Sequence, residues 1–120
     1  MVVPVPLDRS RLRKRGFNQA VVLAREVSLI LARPMLLDVL IRREGKRSQA
    51  GLTRKERRRN VRGSFAVNRH DRIRDRRILI VDDVLTTGAT ANECARVLKG
   101  GGAGEVRLLA LAGAQPDAGP

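Results

Sequence analysis

At 120 residues the chain has room for one domain with a modest core, and a hydrophobic content of 42% is enough to fold it. Two phenylalanines with no Trp or Tyr leave that core to Val, Leu, Ile and Ala; no apolar run nears the roughly 20 residues of a membrane span, and a single cysteine excludes an internal disulfide. The net charge of +13 is extreme for this length and predicts attraction to polyanions such as nucleic acid, acidic membranes or pyrophosphate.

The chain opens on a short apolar run, Val2 to Val5, read as a strand whose exit is bent at Pro6. Asp8 to Asn18 is strongly basic, with Arg11, Arg13 and Arg15, and is read as a loop turning at Gly16. Asn18 serves as the N-cap of a helix whose core stripe is Ala20, Leu23, Ala24, Val27 and Leu31; Pro34 ends it. Met35 to Arg43 reads as a second strand. Between Arg42 and Arg77 lie 15 of the 25 basic residues against 4 acids. Within that span Thr53-Arg-Lys-Glu56 has a capping-box pattern, predicting a short helix from Arg54 to about Val61. Gly63 to Val67 is a third strand, predicted to pair antiparallel with the second. The only histidine, His70, falls in a polar gap and is read as an exposed loop residue.

The stretch that carries chemistry is Arg77 to Thr90, R-I-L-I-V-D-D-V-L-T-T-G-A-T. Ile78 to Val81 is too short for a helix and reads as a strand buried on both faces. It runs into two carboxylates, Asp82 and Asp83, and then into Thr86-Thr87-Gly88-Ala89-Thr90. Beyond Gly88 the period becomes helical, with Ala91, Cys94, Ala95 and Leu98 on one stripe as far as Lys99. Cys94 on that stripe is a small buried apolar side chain rather than a reactive one. Glu105 to Leu111 is the last strand, and residues 113–120 are expected to be a disordered tail behind a domain of residues 1–112.

Ligands of open α/β sheets bind at the carboxyl ends of strands, and a helix start suits a phosphate. The turn offers backbone N–H and hydroxyl donors, whereas the adjacent carboxylates repel bare phosphate and suit hydroxyls or a hydrated divalent cation. A sugar phosphate with Mg²⁺ meets both requirements. A receiver-domain acid pair would stand near the start of its domain, a Walker loop needs Gly-Lys-Ser/Thr, and the bland alternative is a β–α turn with solvated acids.

Ile78 to Thr90 resembles the phosphoribosyl pyrophosphate (PRPP) motif of type I phosphoribosyltransferases. Val5-Pro6-Leu7 with Arg11-Leu12-Arg13 and Arg15-Gly16-Phe17-Asn18-Gln19, and Gln49 and Leu52 with Arg57-Arg58-Arg59-Asn60-Val61 before Phe65, are similar to the ComF/GntX group within that fold. So is Asn92-Glu93-Cys94-Ala95. The resemblance implies an α/β fold: a mostly parallel central sheet flanked by helices, with a basic flexible loop between strands two and three. It implies Asp82 and Asp83 as the residues holding the ribose hydroxyls, directly or through water on Mg²⁺. Val84, Leu85, Thr86, Thr87, Gly88, Ala89 and Thr90 would bind the 5-phosphate, Arg11, Arg13 and Arg15 the pyrophosphate, and Arg57, Arg58 and Arg59 would belong to a lid. PRPP or ribose 5-phosphate is then the ligand and pentosyl transfer the reaction, in a cytoplasmic protein with a homo-oligomer left open. Its second implication is a non-catalytic competence, DNA-uptake or nucleotide-sensing role, with the basic loop on nucleic acid or the chain on a protein of the competence machinery. Members of the group commonly begin with a four-cysteine zinc segment; this chain starts at the V-P-V-P strand and is expected to match the C-terminal domain alone.

Overall fold

A computed structural model describes residues 1–7, 9–43, 61–85 and 88–113, with backbone only at 9–11. Among these residues the central element is a three-stranded parallel sheet in the order β1 (Val2–Pro4), β4 (Arg77–Leu85), β5 (Glu105–Gly113). The register sets Val3 beside Ile80 and Ile80 beside Leu108. A separate antiparallel pair joins β2 (Leu40–Arg42) to β3 (Phe65–Val67), as their flanking positions predict.

Strand alternation divides the apolar residues of β1 and β4 between two layers. Val2, Leu79 and Val81 face α2 (Gln19–Leu31), where Ala24 is fully buried and Leu23 and Val27 pack. Val3, Ile78 and Ile80 face the opposite layer, which holds Leu40, Phe65, Ile73, Cys94 and Leu98. The central strand is therefore covered on both sides, as its unbroken aliphatic run demands. Cys94 lies wholly inside this core, and burial pushes its thiol pKa up, so it stays neutral. The first, third, motif and last expected strands, the α2 helix and its cap form; Asn18 Oδ1 accepts the Ala20 N–H at 2.9 Å.

Four local readings change. The first basic stretch is a helix, α1 (Arg9–Arg15), not a loop. Arg, Lys and Leu are good helix formers, Arg13, Lys14 and Arg15 suit the negative end of its dipole, and Gly16 at φ +77° ends it while its N–H donates to the Leu12 carbonyl. The predicted strand from Met35 to Arg43 is split. Met35 bridges Val2 at the edge of the main sheet, the chain bends near Asp38, and only Leu40–Arg42 pairs with β3. The polar gap holds a one-turn helix, α3 (His70–Ile73), nucleated by the fully buried Ile73; His70 stays exposed. Finally, β4 continues through Asp82, Asp83, Val84 and Leu85, and β5 runs two residues past Leu111 to pair with it. The predicted helix at 54–61 falls mostly outside the described residues, as does the tail from 114.

Helix α4 (Ala89–Gly100) carries the one buried carboxylate among the described residues, Glu93 at 6% exposure. Its Oε2 accepts the Gly63 N–H at 2.6 Å, and Arg96 donates to both oxygens at 2.6 and 2.8 Å. The Arg96 hydrogen bonds hold the Glu93 pKa below its ordinary 4.5. Glu93 thus ties the segment entering β3 to the helix behind the acid pair. Glu93→Ala should cost about 1–3 kcal/mol in urea unfolding by leaving a Gly63 donor unmet. Because the folded pKa is depressed, the wild-type contribution is present above pH 4.5 and fades as pH falls below it, so the gap between the two proteins should narrow in acid.

Candidate active site

The acid pair lies at the carboxyl end of the central strand, where parallel α/β sheets place their ligands. The Val5 N–H donates to the Val81 carbonyl at 2.9 Å, so the chain leaving β1 departs beside Asp82. Asn18 Nδ2 donates to the Val5 carbonyl at 3.1 Å, which brings the start of α2 to the same end of the sheet. The start of α4 follows β4 directly. Two helix N-termini and the chain after β1 therefore gather around one strand end.

Asp82 and Asp83 are both partly buried. Asp82 Oδ1 accepts the Asp83 N–H and Asp83 Oδ1 accepts the Val84 N–H, each at 2.9 Å. One oxygen of each carboxylate is thus fixed by the backbone. Burial, a hydrogen bond between the two carboxyls and the charge of Asp83 push the Asp82 pKa up to about 6, with the Asp83 N–H and then Arg42 pulling the other way. Two carboxylates forced this close gain from any cation that neutralises them.

Arg42 has no counterpart among the sequence-predicted residues. It sits on β2 with its guanidinium 5.0 Å from the centre of the Phe65 ring, a cation–π distance. That platform holds a positive charge on the Asp82 side of the sheet. The available signal was weak: an Arg–Phe pair opposed in an antiparallel ladder, recognisable only once the ladder is known.

Of the other predicted residues, Val84 is exposed and Leu85 half-buried, both within the strand rather than in the turn. Gly88 is the N-cap of α4 at φ +82° and ψ −2°, a conformation that favours glycine. It contributes no side-chain cap, and Ala89 and Thr90 form the first turn. Arg13 and Arg15 are exposed on α1. Thr86, Thr87, Arg57, Arg58, Arg59 and the Arg11 side chain lie outside the described residues.

Among the described residues no three His, Cys, Asp or Glu side chains cluster as a closed metal cage. Mg²⁺ does not need one. It takes one or two carboxylates together with water and substrate phosphate, and two hard-oxygen donors with one oxygen each left over by the backbone fit that preference. No helix among the described residues is long and apolar enough to cross a membrane.

Residues 17–119 match the family of the phosphoribosyl transferase domain. Competence protein F of Haemophilus influenzae is 38% identical over 113 residues, covering 92% of this chain and 49% of that protein. The DNA utilization protein YhgH of Escherichia coli K12 is 34% identical over 110 residues, covering 92% and 48%. The chain spans about half the length of the curated relatives it matches. Among solved structures, the allosteric regulatory enzyme of purine biosynthesis superposes with a TM-score of 0.62 at 22% identity, over 92% of this chain and 21% of that one. The glutamine phosphoribosylpyrophosphate amidotransferase of B. subtilis gives 0.62 at 20% identity, over 92% and 22%. These likenesses show the fold: that of the type I phosphoribosyltransferases.

Proposed function

The chain belongs to the phosphoribosyl transferase domain family, on the ComF side of it, and from that premise we propose that it binds PRPP with Mg²⁺ at the carboxyl end of β4. The observation that carries this reading is the adjacency of two partly buried carboxylates, with the Asp82 pKa pushed up, to a glycine-led helix start. Asp82 and Asp83 take the ribose 2- and 3-hydroxyls or the water shell of the cation. The Thr86–Thr90 turn takes the 5-phosphate, helped by the α4 dipole. Arg11, Arg13 and Arg15, on the helix that follows β1, supply positive charge for the pyrophosphate, and Arg57, Arg58 and Arg59 close over it. Mg²⁺, when bound, supplies further neutralisation of the pyrophosphate. In transfer, the bond from the anomeric carbon to pyrophosphate breaks, the leaving group keeps the electron pair, and an acceptor bonds the carbon while losing a proton. The positive charge that develops on the sugar lies next to Asp82 and Asp83.

Calorimetry with PRPP and Mg²⁺ tests the reading. Binding should be lost on adding EDTA and return with excess Mg²⁺; heat that is the same with and without EDTA overturns the metal-assisted site. Turnover is a separate measurement, by pyrophosphate release across a panel of acceptor bases.

The raised pKa of Asp82 sets a pH dependence. Only its ionised form attracts the cation, so affinity for PRPP with Mg²⁺ should be level above about pH 6 and fall about tenfold per unit below it. A profile that stays flat down to pH 5 would remove Asp82 from the site.

The relatives' names connect them to competence and DNA utilization. A DNA-handling role for this chain would draw on the basic segment 44–60. Steep loss of oligonucleotide binding with salt, untouched by EDTA, would mark that role off from the PRPP site.

A further inference from the structure

A cavity of about 990 Å³ opens at the other end of the sheet, among the amino ends of β1, β4 and β5. Its lining reaches Leu79, three residues and so roughly 10 Å of strand from Asp82. Four arginines from three places in the chain reach it: Arg33 after α2, Arg72 on α3, and Arg76 and Arg77 at the start of β4. None of the four has an ion-pair partner among the described residues. The remaining arginine of the cavity, Arg107, is spoken for by Glu105 at 2.8 Å, leaving Asp71 as the single unpaired acid. The floor is apolar, formed by Leu31, Leu36 and Leu79.

A surface of this kind needs a polyanion with an apolar part. Its volume is at the upper end of small-molecule pockets. Guanidinium forks match phosphate oxygens, and the aliphatic floor suits a flat ring. A nucleic-acid strand fits less well, because the site is concave and offers no aromatic side chain on which bases could stack. We propose that this cavity is a second ligand site of the chain, independent of the acid pair, and that it takes a nucleoside triphosphate.

Calorimetry on the full chain tests this with ATP and GTP, and with inorganic tripolyphosphate, adenosine and a 12-nucleotide single-stranded DNA as comparison probes. Nucleoside triphosphate should bind at one site, more tightly than tripolyphosphate or adenosine. Arg33→Gln with Arg76→Gln should weaken it at least tenfold, since charge-assisted contacts to phosphate are among the stronger hydrogen bonds. Both residues are exposed, and circular dichroism checks the fold. Arg33→Lys with Arg76→Lys should recover part of the loss. Arg25→Gln with Lys99→Gln, an equal charge change elsewhere, should leave affinity intact, as should Asp82→Asn with Asp83→Asn. The proposal is overturned by no binding up to about 1 mM, by equal loss in the charge-matched control, or by loss with the aspartate pair instead of the arginines. Tripolyphosphate or the oligonucleotide binding as tightly as ATP, through the same arginines, overturns the nucleotide assignment.

Discussion

Asp82→Asn combined with Asp83→Asn is expected to weaken PRPP binding in Mg²⁺ at least ~100-fold, about 2.7 kcal/mol, without lowering the melting temperature at pH 7.5. The first half follows from the loss of both hard-oxygen anions that face the ribose and the cation. The second follows from the direction of the Asp82 shift. A carboxyl whose folded pKa is raised favours the fold fully below its ordinary value of 3.8, and that support is lost as pH rises through about 6. At pH 7.5 the wild type therefore carries the cost of a partly buried anion beside a second one. The amide keeps the oxygen that accepts the next backbone N–H, as each carboxylate does now at 2.9 Å, but brings no charge. The variant should melt at the same temperature or higher, and the gap should close as the solution is taken to pH 4. Wild-type affinity in the double variant would disprove the site. A large drop in melting temperature would instead make the pair a structural element.

Leu98→Ala should cost about 2–5 kcal/mol of unfolding free energy, the largest stability effect expected of a single truncation in α4. Leu98 is fully buried and shares its core with Ile78 and Ile80 of β4 and with Phe65 of β3. The methyl groups it loses would leave a void between the helix and both sheets, where no solvent enters to fill it. Against a total of ~5–15 kcal/mol for a domain of this kind, that is a large share. Urea titration reads it as a lower midpoint with an unchanged slope. A cost below about 1 kcal/mol would mean that α4 is not seated on the sheet as described. The folded fraction should still bind PRPP, because Leu98 lies more than two turns from Gly88, so the stability and ligand readouts separate.

Helix α2 was legible because its cap and its stripe agree: Asn18 accepts the Ala20 N–H, and Ala24 lies at the centre of the packed face. The central strand was legible because four aliphatic residues in a row have no solvent face to spare. Helix α1 was missed because seven residues with one apolar side chain show no period; its backbone preference and basic last turn decide it. The split after Met35 was missed for the opposite reason. An apolar run of that length suits one strand, but its two ends serve different sheets, and nothing local records which.

The sequence by itself determined the class of fold, the order of its parallel strands' elements and the position of the acid–turn–helix segment, because period, capping and glycine placement act over a few residues. Only the tertiary structure decided that Arg42 stands over Phe65 on the Asp82 side, that Glu93 is buried against Gly63, and that Arg33 shares a cavity with Arg76 and Arg77. Those are meetings between residues tens of positions apart. They depend on which faces pack together, and a charged side chain looks the same in sequence whether it ends in solvent or against a partner.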